Sequence, residues 1–258
     1  VYKRQALHRT VLAAESAGVL DRVITVFADL GADDEWPGTA ELAEDHAAFY
    51  GLAHEVVYRE VTTPDGRRVR QTLTEHIESR GLWPDATRRY CTSDMKRAPV
   101  HRLLTRIAAE HRAASPGRKV RILSVLGMRA EESRARALLA PFGHDARASN
   151  QTVRHVDRWL PVHELTTAQV WEVIGQAGTR AHWVYAYLPR LSCRFCVLAS
   201  RSALIRAAIL DPEGAARRAE QEQRMGHQFR AGQSMADIIA ASRGLTLATA
   251  PPAATWAA

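Results

Sequence analysis

The sequence predicts an α/β fold: a parallel sheet with crossover helices, followed by a helical C-terminal extension. Three observations predict it. An αβαβ rhythm opens the chain, a third strand returns after a long amphipathic helix, and from residue 201 onward only helical periodicity remains. From Ala6 to Ala17 the apolar positions Leu7, Val11, Leu12 and Ala14 fit one helical face, and Gly18 supplies the stop. Arg22 to Ala28 is a β-branched run ending at Asp29-Leu30-Gly31, the pattern of a buried strand that delivers a loop. A helix follows from Thr39 to Tyr50 with Gly51 behind it, and His54 to Val61 alternates as a second strand. Pro64-Asp65-Gly66 marks a turn, and Thr72 to Arg80 reads as a helix closed by Gly81. Pro99 to Ala113 is the clearest helix, with Val100, Leu103, Leu104, Ile107 and Ala108 on one face and Pro99 in its first turn. Lys119 to Leu126 is a third strand, 140–152 a loop, Val153 to Val162 a short strand, and Thr166 to Gln176 a Thr-capped helix. Helices near 201–210, 213–225 and 234–243 complete the extension, ahead of an Ala/Thr/Pro-rich tail from 245.

Composition bounds the function. The chain has 258 residues and a formal charge of +7, yet only Lys3, Lys96 and Lys119 are lysine, so the basic balance is arginine-rich background as much as a footprint for nucleic acid. A lysine in this chain is therefore a position to notice. No apolar run approaches the roughly 18 to 20 residues of a membrane span, and three cysteines without a signal-like segment do not make a secreted disulfide framework. These features predict a soluble, cytoplasmic protein with no membrane partner. G-x-S-x-G, H-E-x-x-H and the P-loop motif are all absent, which removes the motif support for those hydrolase and kinase classes.

Open parallel sheets bind ligands beyond the carboxyl ends of their strands. Three polar segments fall there: Asp29-Leu30-Gly31 through Glu35-Trp36-Pro37-Gly38-Thr39; Gly127-Met128-Arg129 through Ser133 to Arg136; and Arg89 to Pro99. Lys96 and Arg97 just ahead of Pro99 are misplaced at a helix N-terminus unless an anion sits among them. Arg129 and Arg136, with Ser133 between them, would add forks and a hydroxyl for a second phosphate. Cys193-Arg194-Phe195-Cys196 is a C-x-x-C that suits a redox pair, half a metal site or two buried small residues, and Cys91 is the one other thiol. If the three converge, an open fourth position suits an iron–sulfur cluster and a histidine suits zinc, with Arg190 and Arg194 offsetting thiolate charge. His182 to Tyr187 is either an aromatic wall or ordinary packing, and Asp33-Asp34-Glu35 is either a divalent-ion holder or a solvated charge run.

Four segments in this order resemble the phosphoadenosine phosphosulfate reductase family, within the adenine nucleotide alpha hydrolase-like group that shares the N-type ATP pyrophosphatase fold. They are Asp29-Leu30-Gly31…Glu35-Trp36-Pro37-Gly38-Thr39, Cys91-Thr92-Ser93-Asp94-Met95-Lys96, Gly127-Met128-Arg129-Ala130-Glu131-Glu132-Ser133 and Arg190-Leu191-Ser192-Cys193-Arg194-Phe195-Cys196. The resemblance covers about Ala6 to Gly226. It implies a Rossmann-like nucleotide-binding domain over 6–200, a helical extension over 201–244 and a disordered tail over 245–258. It implies catalytic Lys96, Arg129 and Arg136, nucleotide contacts at Asp29, Gly31, Thr39, Arg97, Gly127 and Ser133, and a metal centre at Cys91, Cys193 and Cys196. The cofactors implied are an adenine nucleotide (ATP or phosphoadenosine phosphosulfate), a [4Fe-4S] cluster or zinc, and Mg2+.

Two departures shape the expectation. The family's first strand and its Ser-Gly-Gly-x-Asp-Ser phosphate loop are not in the sequence, and Val1 to Gln5 reads like a translated sequencing adapter where they should stand. The expectation is a truncated chain that is poorly stable or inactive, because loss of a central strand leaves its neighbours without partners and the nucleotide without its main phosphate cradle. No cysteine follows Cys196, and Tyr90-Cys91 stands where cluster-bearing reductases have a Cys-Cys pair. The three-cysteine pattern is closer to relatives that adenylate an acceptor and transfer sulfur, with a tRNA or DNA acceptor and a sulfur-donor or redox protein as partners. The rival expectation is a non-catalytic nucleic-acid-binding or metal-stabilised accessory module of the same fold.

Overall fold

A computed structural model describes residues 2–247, so most of the expected tail over 245–258 lies outside the described residues. Helix α1 spans Tyr2–Ser16, longer at its start than the Ala6–Ala17 pattern, and carries Arg4 and Gln5 into buried positions. Strand β1 (Ile24–Ala28), α2 (Thr39–Phe49) and β2 (Ala53–Val57) follow as expected, and β1 pairs in parallel with β2 from Ile24 beside Ala53 to Ala28 beside Val57. The single strand expected over 54–61 is two. After Tyr58 the backbone leaves β2's sheet, and β3 (Arg59–Thr62) turns through Pro64-Asp65-Gly66 to pair antiparallel with β4 (Arg68–Gln71). The second arm reads Arg-Val-Arg-Gln, with too few apolar positions to announce a strand.

Helix α3 (Leu73–Arg80) opens with a capping box between Thr72 and Glu75 and closes on Gly81 in the left-handed region. The next segment corrects the sequence reading. Helix α4 (Tyr90–Thr92) runs without a break through a π turn over Ser93–Arg97 into α5 (Ala98–Ala114). Lys96 and Arg97 are therefore inside a continuous helix, and the argument from an exposed helix N-terminus does not hold. The wider π turn accommodates Pro99, whose missing amide leaves an α-helical bond unmade.

Strand β5 (Val120–Val125), the short helix α6 (Arg134–Ala137), β6 (Phe142–His144) and β7 (Arg154–Trp159) build the third sheet. Its order is β5-β7-β6, with β5 and β7 parallel and β6 antiparallel, so the expected loop over 140–152 contains an edge strand. The helices α7 (Thr167–Ala177), α8 (Arg201–Leu210), α9 (Pro212–Met225) and α10 (Met235–Ser242) complete the chain. The architecture is a mixed α/β fold in which small parallel sheets and helices alternate. In place of one continuous parallel sheet there are, among the described residues, three separate sheets, in which β1 and β5 each have a strand partner on one side only. Helix α5 touches β1, β2 and β5 together.

The largest core does not lie on a sheet. It joins the loop after β1 (Leu30, Trp36), α3 (Leu73, Ile77), Trp83, Tyr90 and Met95, the cysteine loop (Phe195, Val197) and the α8–α10 helices (Leu204, Met235, Ile238). Cys91 and Cys193 pack against it. The helices after residue 201 thus form the floor beneath the site rather than a separate appendage. No helix among the described residues is long and apolar enough to cross a membrane.

Candidate functional site

The cysteine loop is docked onto the loop after β1 by a single arginine. The Arg194 backbone N–H donates to the Asp34 carbonyl at 2.9 Å, and its guanidinium donates to the Ala32 and Glu35 carbonyls at 2.8 and 2.6 Å and to Asp211 at 2.7 Å. This side chain is a clamp between segments, not the expected offset to thiolate charge. Lys96 takes that role instead. It is half-buried on the π turn, and its ammonium is pushed above its ordinary range, first by Cys193 and then by Cys91, Glu35 and Cys196, against the effect of burial.

The three thiols are half-buried and free. Cys193 is pushed well up, first by its hydrogen bond to Cys196 and then by burial. Cys196 is lowered to about 6, first by that same bond, with a further contribution from the Leu198 backbone. Between them the pair keeps one proton, held by Cys193 and donated to a Cys196 thiolate. Burial and the charge of Cys193 raise the Cys91 thiol, and Lys96 opposes them. Residues distant in sequence therefore meet as three sulfurs around one ammonium. Thiolates on one tetrahedral zinc stand about 3.8 Å apart, given Zn–S distances of about 2.3 Å. Among the described residues the one His/Cys/Asp/Glu group drawn mutually within 4.8 Å lies elsewhere, so the three sulfurs are not gathered for a single ion. Cys193 and Cys196 stand within hydrogen-bonding reach of each other, with Cys91 as the third thiol of the set.

The second anion loop departs from expectation. Arg129 is 2% exposed, and its guanidinium donates to Glu131 at 2.8 Å, the Leu165 carbonyl at 3.0 Å and the Thr167 hydroxyl at 3.1 Å, tying the loop to the start of α7. It is not presented as a phosphate fork. Arg136 pairs with Glu132, yet it also lies close enough to Arg190 and Arg89 for their charges to lower it, after burial itself. Arg89, Arg136 and Arg190 thus bring the loop after β5, the α4 entry and the cysteine loop together around one positive region. Arg89 was missed in the sequence because nothing local distinguishes it from the arginine background. Ser133 caps α6 by accepting from the Arg136 amide at 3.3 Å, and Gly127 lies in the turn after β5.

At β1, Asp29 accepts from the Gly31 amide at 2.8 Å and pairs with Arg70 at 2.6 Å, so it shapes the loop. Gly31 has φ +109°, and an added Cβ would stand 2.8 Å from Thr72 Cγ2, which explains the glycine by close approach. Thr39 donates to the Trp36 carbonyl at 2.6 Å and lies 3.2 Å from His182 Nε2. Trp183 donates to the Pro37 carbonyl at 3.0 Å and meets Trp36 edge-on, so the His182 segment does wall this loop. Arg97 is exposed.

The acidic triplet is not an ion holder. Asp34 is 2% exposed and accepts from the Thr74 amide and hydroxyl at 3.0 and 2.9 Å and from Arg218, while Asp33 faces Arg217 at 3.4 Å. No protein-family model matches the chain, and no curated protein matches it.

Proposed function

We propose that the chain is an adenine-nucleotide enzyme of the phosphoadenosine phosphosulfate reductase type, acting by adenylyl activation with sulfur transfer. The observation that carries this reading is the convergence of Cys91, Cys193 and Cys196 on Lys96, one of the chain's few lysines, beside the Arg89/Arg136/Arg190 region. The hydrogen bond from Cys193 lets Cys196 stay ionised near neutral pH, and the Lys96 ammonium adds to it. The three arginines receive a phosphate or sulfate, and such preorganised cations commonly contribute a few kcal/mol to transition-state stabilisation. A [4Fe-4S] cluster on the three thiolates would supply an iron site for sulfur or electrons. Sulfur transfer is favoured over reduction of activated sulfate because the set of Cys91, Cys193 and Cys196, with Tyr90 ahead of Cys91, is closer to the three-cysteine pattern of sulfur-transfer relatives. The Rossmann-like arrangement, a tRNA or DNA acceptor, Mg2+ on the nucleotide phosphates and a cytoplasmic setting belong to the same reading.

Anaerobic reconstitution with iron and sulfide, followed by incubation with ATP, sulfide and tRNA or DNA as acceptor, or with phosphoadenosine phosphosulfate and a dithiol reductant, tests it. The expected result is broad absorption around 400 nm, a rough value for such clusters, together with release of AMP or the bisphosphate product. Lys96→Met abolishes release and keeps the fold. Unchanged product release in K96M removes Lys96 from the site. One observation favours a second reading, a metal-stabilised accessory module without turnover: Arg129 Nη1 and Nη2 are engaged by internal partners and Arg136 is partly neutralised by Glu132. Cluster formation without any nucleotide turnover would decide for it.

A further inference from the structure

The open face of the third sheet carries a group that the proposed function does not use. In the β6–β7 pairing His144 stands directly opposite Asp157, and His155 precedes Asp157 by two residues on the same face. His155 Nε2 lies 2.9 Å from Asp157 Oδ1, and His144 Nδ1 lies 3.9 Å from that same oxygen. The two imidazoles are stacked, with centroids 4.4 Å apart and planes 25° from parallel. All three ligand atoms fall within 4.8 Å of one another. The other carboxylate oxygen, Asp157 Oδ2, faces Arg121 Nη2 at 3.5 Å across the β5–β7 pair, where Arg121 is the strand neighbour of His155.

We infer that His144, His155 and Asp157 form a binding site for a divalent transition ion of the zinc class, with two imidazoles and one carboxylate as ligands and water in the open positions. Nitrogen and oxygen ligands at about 2.0–2.2 Å on a tetrahedral ion stand about 3.4 Å apart. The 2.9 Å separation opens by about 0.5 Å and the 3.9 Å separation closes by about as much to meet that spacing, small rotations for the half-buried His155 and the exposed His144 rings. Two histidines and a carboxylate with open positions are a donor set that first-row divalent metals accept. The ion takes the place of the His155–Asp157 hydrogen bond, with the imidazole presenting its Nε2 lone pair and the carboxylate an oxygen. Arg121 holds the carboxylate oxygen that the ion leaves free, the outer-shell contact that fixes a ligating carboxylate. Because all three ligands sit on paired strands, the site is built on rigid backbone rather than on a loop.

Titration of Zn(II) into the full chain against a chromophoric chelator tests the inference, with Co(II) spectra to separate nitrogen and oxygen ligation from sulfur ligation. The expected result is one ion more per wild-type chain than per His144→Gln chain, or an affinity at this site weakened roughly 100-fold or more in H144Q and H155Q. Arg121→Gln weakens it roughly tenfold. Cys91→Ser leaves the site unchanged, and its Co(II) bands lack sulfur charge transfer. Equal count and affinity in wild type, H144Q and H155Q overturn the inference, as does loss of the site in C91S alone. His144 is exposed on an edge strand, so H144Q reports on binding even if H155Q fails to fold, with circular dichroism as the check.

Discussion

Asp34 and Arg218 show what single residues contribute beneath the candidate site. Both are nearly inaccessible, at 2% and 6%, and Arg218 also donates to Gln221 at 2.6 Å, which in turn donates to the Thr74 carbonyl at 3.1 Å. The network ties the loop after β1 and α3 to α9, and so holds in place the loop onto which the cysteine segment docks. Removing one member of a buried pair leaves the other charge uncompensated, which costs about 3–5 kcal/mol. Arg218→Met should lower the unfolding free energy by that amount, read as a lower urea midpoint at unchanged cooperativity, and D34N/R218M should recover part of the loss. Full stability in R218M would mean that Asp34 takes its proton at little cost. None of this was legible in the sequence. Asp34 sits in an acidic run that reads as solvated, and its partner is 184 positions away. The cysteines were legible because the residue type is rare and chemically committed. Lys96 was noticeable because lysine is also rare, but its sequence position pointed to a phosphate, and its place beside the thiols was not legible.

At the scale of elements, helices were the legible part because their evidence is local. The spacing that predicts Pro99 to Ala113 matches α5, and the Thr-led starts of α3 and α7 are capping boxes in the structure. What local pattern does not contain is the interruption of a regular element. The π turn at Ser93–Arg97 and the departure of the chain at Tyr58 both depend on tertiary packing, and both were read as something simpler. The contact between Gly31 and Thr72 links a loop to a helix cap. Thr72 accepts from the Glu75 amide at 3.2 Å and donates its own amide to Glu75 at 2.7 Å. Thr72→Ala should cost about 1 kcal/mol, the ordinary worth of a cap. Gly31→Ala should cost more, about 1–3 kcal/mol, because its φ is positive and its Cβ meets the Thr72 side chain. If G31A proves neutral in urea unfolding, the loop has another conformation available and does not position the cysteine segment.

At the scale of the whole molecule, the largest core lies between the loop after β1, the cysteine loop and the C-terminal helices, while among the described residues β1 and β5 each keep an unpaired edge. Stability therefore rests on packing around the site more than on sheet pairing. Five histidines register that packing. His8, His46, His76, His101 and His182 are all lowered from 6.5, in each case first by burial. His76 is the deepest by side-chain exposure, at 4%, with Nε2 bonded to Asp94 at 3.0 Å and Nδ1 buried without a partner. A proton added to that ring would place a charge with one unsolvated N–H inside the core. The folded state thus binds these protons more weakly than the unfolded chain does. Below about pH 6.5 the unfolded state takes up more protons, so stability is fully present above that pH and is lost as pH falls through the depressed folded values. The urea midpoint should accordingly drop between pH 7.5 and pH 5.5, and His76→Gln, which can still bond Asp94 but does not titrate, should make the drop shallower. A midpoint that stays level or rises over that interval would show that these rings protonate in the folded protein as readily as in the unfolded chain, and that the packing around the site is looser than their burial implies.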